Sequence, residues 1–211
     1  MSRIAIIGGG NIGEALLSGL LRSGRQVKDI VVAERVPART RHLSETYSVL
    51  VTSVADAVEN ANFVVAAVKP SDVESVTDEI AAAVARDDAG SIEHVFVTVV
   101  AGVSTTYFEG KLPAGAPVIR VMPNAPMVVG AGVSAIAKGR FATPEQLKDV
   151  AALFDSVGVV SISPDPPFSS TRSSSIAADP AIVCTTRSVA SARLNPTATP
   201  ASMSASTIRK K

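Results

Sequence analysis

The sequence predicts an α/β fold in which a doubly wound, mainly parallel sheet carries helices on both faces. Strand-like and helix-like segments alternate from residue 3 to residue 162. Some strand segments are continuous apolar runs, such as FVVAAV and VFVTVV, which are typical of strands buried on both faces. This alternation is too regular for a helical bundle or a β-sandwich, and it fits parallel strands joined by right-handed crossovers.

The first half of the chain is predicted to hold four strands and four helices. Pro37 lies near the first turn of one helix, Ser53 with Asp56 starts another, and Gly24 follows the end of the first helix. We predict strands at Arg3–Ile7, Asp29–Ala33, Val49–Val51 and Phe63–Val68. We predict helices at Asn11–Ser23, Pro37–Tyr47, Ser53–Asn60 and Ser71–Arg86.

The second half holds the clearest helix of the chain, in which Thr143 is the cap, Pro144 the first helical residue and Glu145 part of the first turn. Apolar residues recur along one face of this helix at helical spacing. We predict strands at Val95–Val100, Pro117–Met122, Gly132–Ala137 and Gly158–Ile162. We predict helices at Ser104–Lys111 and Thr143–Ser156.

A glycine-rich loop joins the first strand to the first helix and reads Gly8-Gly9-Gly10-Asn11-Ile12-Gly13. The pattern G-x-G-x-x-G is weak alone, but here it directly follows a strand and directly opens a helix. Gly8 permits the tight turn, Gly10 lets a pyrophosphate approach the backbone, and Gly13 lets the helix pack on the strand. The unpaired amides of the helix start, at Asn11 and Ile12, favour a phosphate. The context predicts a Rossmann-type, dinucleotide-binding domain rather than a purely structural turn.

Two charged residues at the end of the second strand bear on the choice of cofactor. Glu34 lies 21 residues after Gly13, where an acid hydrogen-bonds the ribose 2′-hydroxyl and favours NAD. Arg35 is adjacent and can hold a 2′-phosphate through its planar guanidinium. Either residue can also be a solvated loop charge. We expect NADP, used as NADPH, to be favoured slightly over NAD.

Several further segments resemble the pyrroline-5-carboxylate reductases. They are AVKP at residues 67–70, AGV at 101–103, VIRVMPNAP at 118–126 and GAG at 130–132, together with the opening GGGNIGEALLSGLL. These segments occur in order and with matching spacing across residues 3–160. The resemblance implies an oxidoreductase that transfers a hydride from NAD(P)H to the C=N bond of 1-pyrroline-5-carboxylate and gives L-proline.

The resemblance also implies roles for residues at the carboxyl ends of strands, where doubly wound folds bind ligands. Val68, Lys69 and Pro70 would lie against the cofactor; the alternative for Lys69 is a surface lysine. Ala101 and Gly102 would let the nicotinamide approach the backbone, or form a plain turn. Asn124, between two prolines, would lie near the nicotinamide, or simply serve the turn. We assign no catalytic acid or base, because the protonated imine is already an electrophile.

Other features indicate no further site. His42 and His94 have no second ligand at metal spacing and no nucleophile beside them. The net charge of +1 gives no reason to expect nucleic acid. We expect neither a signal peptide nor a membrane span, because the sequence shows no charged n-region before an apolar run and no apolar run of membrane length. Cys184 is the single cysteine, which excludes an intrachain disulfide. We therefore expect a cytoplasmic protein.

Composition changes abruptly near residue 160. All 14 glycines lie at or before Gly158, and residues 161–211 include 12 Ser, 6 Thr and 6 Pro. Residues 1–160 carry a net charge of −3 and residues 161–211 a net charge of +4. We expect an NAD(P)-binding domain over residues 1–160 and a disordered tail over residues 161–211.

The related enzymes continue with a helical domain that forms the homo-oligomer and holds the substrate, and its Ser-Gly-Ser-Gly-Pro and Ser-Pro-Gly-Gly segments do not occur here. A frameshift would give such a change, as would a genuine alternative C-terminus. On this reading we expect weak cofactor binding and little reductase activity. The alternatives are a non-catalytic dinucleotide-binding fragment and another NAD(P)-dependent reductase.

Overall fold

A computed structural model describes residues 2–86 and 93–162. Eight strands form one sheet, and the helices between them are amphipathic or short segments that cover its faces. The strands are β1 (Ile4–Ile7), β2 (Ile30–Ala33), β3 (Leu50–Thr52), β4 (Phe63–Ala66), β5 (Val95–Thr98), β6 (Val118–Pro123), β7 (Gly132–Lys138) and β8 (Gly158–Ile162). The helices are α1 (Asn11–Arg22), α2 (Pro37–Tyr47), α3 (Val54–Val58), α4 (Val73–Arg86), α5 (Thr105–Lys111) and α6 (Pro144–Asp155).

The strand order is β3-β2-β1-β4-β5-β6-β7-β8. All neighbouring strands are parallel except β6 and β7, which pair antiparallel. The chain winds outward from β1 to β3, then returns to β1 and winds the other way through β4, β5 and β6. The predicted doubly wound, mainly parallel Rossmann-type sheet is therefore confirmed, and its switch point lies between β1 and β4.

Alternate residues of each central strand face opposite sides of the sheet and build two separate cores. Ile4 and Ile6 of β1 pack with α1, α2 and α6, whereas Ala5 and Ile7 pack with α3, α4 and α5. Both cores are made mainly of Ile, Val, Leu and Ala, with a few Phe side chains. Because burial on both faces removes any polar alternation, the central strands read as continuous apolar runs.

The predicted bounds differ from the structure mainly at the carboxyl ends of strands. β4 ends at Ala66 and β5 at Thr98, two residues before the predicted ends at Val68 and Val100. Val99 and Val100 are buried, yet they lie beyond the strand and begin the turn. An apolar run reports burial rather than strand pairing, so it overestimates the length of a buried strand.

Three 3-10 helices were not predicted, at Val27–Asp29, Pro70–Asp72 and Ala125–Val129. The second takes the residues predicted to start α4, which begins at Val73. At the other end of the domain, β8 runs to Ile162, two residues into the segment that we assigned to the tail. The rest of that segment lies outside the described residues. In the described part of the chain, no helix has the length and apolar character needed to cross a bilayer.

Candidate functional site

The predicted site residues are positioned by the carboxyl ends of β1, β2, β4, β5 and β6. The glycine loop follows β1 at the switch point, and the Gly8 N–H donates to the carbonyl of Ala33, at the end of β2, over 2.8 Å. On its other side Gly8 faces β4, since a Cβ at Gly8 would lie 2.6 Å from the carbonyl oxygen of Ala67. The loop is thus held between β2 and β4 at the position where doubly wound sheets bind ligands.

The glycines of the loop meet different steric demands. Gly8 has φ +103°, which favours glycine, and a Cβ at Gly13 would lie 2.0 Å from the Gly8 carbonyl oxygen. Gly10 is different, because nothing lies within 4 Å of the position of its Cβ. Two glycines therefore allow the turn to close, whereas the third leaves open space above the backbone.

That open space lies at the start of α1. Gly10 is the N-cap residue of α1 and has no capping side chain, while Asn11 and Ile12 in the first turn are exposed. The first N–H groups of a helix have no partner within the helix, and the helix dipole favours negative charge there. The loop therefore offers an exposed, positively polarised backbone surface that fits a phosphate.

Glu34 lies beside the loop, but its carboxylate is bonded to the backbone. Oε2 accepts from the Gly9 N–H at 2.9 Å, and Oε1 accepts from the N–H groups of Arg35 at 2.8 Å and Val36 at 2.9 Å. The side chain joins the end of β2 to the glycine loop. Neither alternative predicted from the sequence for Glu34, an acceptor for a ribose hydroxyl or a solvated loop charge, includes these three contacts.

Arg35 is exposed. Its guanidinium pairs with Glu79 of α4, and the two side chains are 59% and 46% exposed. An ion pair with this much solvent contact contributes little to stability, because both charges stay hydrated. Its energy is small enough for an anionic ligand to compete for the guanidinium.

The residues after β4 and β5 form exposed turns. Val68 is half-buried, and its Cγ1 lies 3.1 Å from the position of a Cβ at Gly8. This side chain therefore packs against the glycine loop. Lys69 and Pro70 are exposed at the start of a 3-10 helix. Ala101 and Gly102 are exposed too, and Gly102 has φ +79°.

Asn124 follows β6, and both its main chain and its side chain form hydrogen bonds to the backbone of Val133. Its Oδ1 accepts from the Val133 N–H at 2.8 Å, and its own N–H donates to the Val133 carbonyl at 3.1 Å. These bonds tie the end of β6 to β7. The turn-forming alternative in the sequence analysis matches these contacts, and Asn124 remains exposed at the carboxyl edge of the sheet.

Sequence reasoning missed a polar cluster beside the loop, which we call the α1–α2 cluster: Glu14, Arg39, His42 and Tyr47. Glu14 Oε2 accepts from Arg39 Nη2 at 2.9 Å, while Oε1 lies 2.7 Å from His42 Nε2 and 3.2 Å from the Tyr47 hydroxyl. Arg39 also donates to the Gly9 carbonyl, through Nε at 3.1 Å and through Nη2.

Two pKa values are shifted in this cluster. Burial alone would raise the pKa of Glu14, but the hydrogen bonds from His42 and Tyr47 and the charges of His42 and Arg39 together lower it. Burial, followed by the neighbouring Glu14 charge, raises the pKa of Tyr47. Glu14 is thus held as a carboxylate that organises the basic side chains of α2.

One signal could have revealed the cluster. Successive right-handed crossovers that progress in one direction across a sheet place their helices on the same face, so α1 and α2 are neighbours. Arg39 and His42 are three residues apart and therefore share a side of α2. His42, for which the sequence indicated neither a metal site nor a nucleophile, is a partner of Glu14.

His94 is the other histidine considered in the sequence. His94 is buried, and its Nδ1 lies 2.7 Å from the Ala61 carbonyl oxygen, which makes it part of the fold. Within residues 2–86 and 93–162, no group of three or more His, Cys, Asp or Glu residues could hold a metal ion. Cys184 lies outside the described residues.

Known proteins match this chain in sequence and in fold. A family model described as "NADP oxidoreductase coenzyme F420-dependent" matches residues 3–102. The pyrroline-5-carboxylate reductase of Mycobacterium tuberculosis is 68% identical over 165 residues, which cover 78% of this chain and 56% of that protein. The chain therefore spans little more than half the length of these curated relatives.

Solved structures agree with the fold. A pyrroline-5-carboxylate reductase from Coxiella burnetii gives a TM-score of 0.73 at 24% identity, covering 95% of this chain and 82% of that chain. A pyrroline carboxylate reductase from Plasmodium falciparum, solved with NADP bound, gives a TM-score of 0.65 at 18% identity over 77% of this chain and 57% of that chain. The resemblance found in the sequence is confirmed: over most of its length the chain is similar to pyrroline-5-carboxylate reductases, and the similarity covers a Rossmann-type, N-terminal domain.

Proposed function

We propose that this domain binds a nicotinamide dinucleotide at the glycine loop. The observation that carries the proposal is the open backbone surface at Gly10, at the start of α1 and at the switch point of the sheet. The first N–H groups of α1 would hold the pyrophosphate, and Gly10 would give it access. Val68, Lys69, Pro70, Ala101 and Gly102 line the same carboxyl edge and extend the site toward the nicotinamide.

We propose further that the cofactor serves the reduction of 1-pyrroline-5-carboxylate to L-proline, the reaction named by the family and a step of proline biosynthesis. When bound, the reduced nicotinamide supplies the hydride that adds to the C=N carbon, while the imine nitrogen takes up a proton. The chain's own contribution is to bind and orient the dinucleotide. Asn124 is fixed by its bonds to Val133, and we propose that it lies near the nicotinamide.

NADP is the cofactor that the charges around the loop favour over NAD. The Glu34 carboxylate accepts three backbone N–H groups, so the usual acceptor for a ribose 2′-hydroxyl is committed elsewhere. The exposed guanidinium of Arg35 lies next along the chain, held only by a solvated ion pair with Glu79. A 2′-phosphate can form charge-assisted bonds to such a guanidinium.

The proposal is tested with the 211-residue chain by titrating NADPH and NADH and following the fluorescence of the reduced nicotinamide. The chain is then mixed with 1-pyrroline-5-carboxylate and NADPH, and L-proline is measured. Dinucleotide binding together with imine-dependent oxidation of NADPH supports both the proposed binding site and the proposed reaction. Binding without oxidation limits the function to a dinucleotide-binding module, and turnover of a 2-hydroxy acid instead of the imine points to another reductase. A chain that binds neither dinucleotide overturns the proposal.

A further inference from the structure

The glycine loop is held by two side chains that act on successive peptide groups. Glu34 Oε2 accepts the N–H of Gly9, which belongs to the peptide between Gly8 and Gly9. Arg39 donates to the carbonyl of Gly9, which belongs to the peptide between Gly9 and Gly10. Both contacts come from the β2–α2 side of the loop, so Gly9 is held at both of its peptide groups.

The orientation of a trans peptide follows from either of its polar atoms, because its carbonyl and N–H point in opposite directions. When Arg39 draws the Gly9 carbonyl toward α2, the N–H of Gly10 must point away from α2. The space beside Gly10 is open, because nothing lies within 4 Å of the position that a Cβ would take there. Arg39 therefore determines whether the Gly10 N–H is presented at the site.

The structure also shows what keeps Arg39 in place. Its Nη2 donates to Glu14 Oε2 at 2.9 Å, and the other oxygen of Glu14 is held by His42 at 2.7 Å and Tyr47 at 3.2 Å. The Arg39 side chain is 33% exposed and that of Glu14 is 22% exposed, so the pair is partly shielded from water. A guanidinium is suited to this task, because its planar donors can serve the carbonyl and the carboxylate at the same time.

We propose that Arg39 is a positioning residue for dinucleotide binding, which acts through the Gly9 carbonyl to aim the Gly10 N–H at the pyrophosphate. The inference rests on the proposed function, because it assigns Arg39 a role at that same site. It differs from a role in cofactor choice. The pyrophosphate is common to NADPH and NADH, so loss of Arg39 must weaken the binding of both dinucleotides by the same factor.

The test compares Arg39→Met with two variants that remove the same charge. Arg41→Met lies on the same helix, and the Arg41 side chain is exposed. Arg35→Met removes the guanidinium proposed to meet the 2′-phosphate. We expect Arg39→Met to weaken the binding of NADPH and of NADH alike by about tenfold, which corresponds to the loss of a hydrogen bond from a charged donor. We expect Arg35→Met to weaken the binding of NADPH alone. Arg41→Met should change the affinity for either dinucleotide by less than about twofold.

A second measurement needs no cofactor. It keeps the inference testable if the Arg39→Met variant folds poorly. Arg39→Lys keeps the charge and the aliphatic stem but loses the planar pair of donors. In ¹⁵N-labelled protein we expect the Gly10 amide resonance to move in Arg39→Lys, while resonances from β4 and β5 stay in place. A role in folding alone would lower the unfolding temperature without this local shift.

Four outcomes overturn the inference. One is a loss confined to NADPH in Arg39→Met, which would make Arg39 a direct ligand of the 2′-phosphate. The second is an Arg39→Met variant that behaves like Arg41→Met, and the third is a Gly10 resonance that does not move. In all three cases the wild-type chain still binds dinucleotide and the proposed function stands. Failure of the wild type to bind either cofactor is the separate result that overturns both proposals.

Discussion

At the scale of single residues, the glycine loop separates two requirements that the motif G-x-G-x-x-G combines. Gly13 is required by the fold, because its Cβ would collide with the Gly8 carbonyl, which cannot move without opening the turn. Gly10 is not required by the fold, since its Cβ would meet open space and its φ of −70° suits any residue. The two positions should therefore respond differently to the same substitution.

We predict that Gly13→Ala destabilises the domain by about 1–3 kcal/mol, as overpacking does, and that Gly10→Ala costs well under about 1 kcal/mol. Gly10→Ala should instead abolish measurable dinucleotide binding, because its methyl group occupies the phosphate position. Urea denaturation measures the first effect and cofactor titration the second. Equal stabilities for the two variants, or tight NADPH binding by Gly10→Ala, would contradict this assignment.

The lowered pKa of Glu14 predicts a pH dependence of stability. Its folded-state pKa lies below the ordinary value of 4.5, so the carboxylate stabilises the native state above that pH. This stabilisation disappears as the pH falls through the folded-state pKa. We expect Glu14→Gln to be less stable than wild type near neutral pH by no more than about 1 kcal/mol, with the difference vanishing in acid. Glu45→Gln, which removes an exposed carboxylate of α2, should show no such convergence.

At the scale of elements, the caps show which local signals can be predicted from sequence. Thr143 was predicted to cap α6, and the structure adds a reciprocal bond from its N–H to Gln146 Oε1 at 2.8 Å. Ser53 caps α3 as predicted, but Asp56 does not close a box. An aspartate is one methylene shorter than a glutamate, and Asp56 accepts from the hydroxyls of Ser53 at 2.7 Å and Thr52 at 2.9 Å instead.

We predict that Thr143→Ala destabilises the domain by about 1 kcal/mol, because it leaves the Gln146 N–H without its acceptor. For a domain of this size the unfolding temperature should fall by about 2–4 °C, which calorimetry can resolve. Thr143→Ser keeps the hydroxyl and is the matched control. An alanine variant as stable as the serine variant would show that the cap contributes nothing to this helix.

At the scale of the whole molecule, the sequence predicted the class of fold and the loop more fully than it predicted the site. Every strand and α-helix within residues 2–86 and 93–162 was foreseen, because Gly, Pro and Ser mark their ends and apolar runs mark buried strands. The contacts of Arg39 and Glu34 were not foreseen, since they depend on how α1, α2 and β2 lie together in space. A motif records which residues permit a ligand to approach, and it does not record which neighbours hold those residues in position.

The last prediction concerns the domain as a cooperative unit. A ligand that binds only the native state raises the free energy of unfolding by about 2.7 kcal/mol when its concentration is one hundred times Kd. We expect NADPH to raise the urea midpoint of the chain in proportion to the logarithm of its concentration, and NADH to do so only at higher concentrations. Gly10→Ala should fold with nearly the wild-type midpoint and show no such increase. An equal increase in Gly10→Ala would place the dinucleotide away from the glycine loop, because the open backbone at Gly10 would then not be its binding surface.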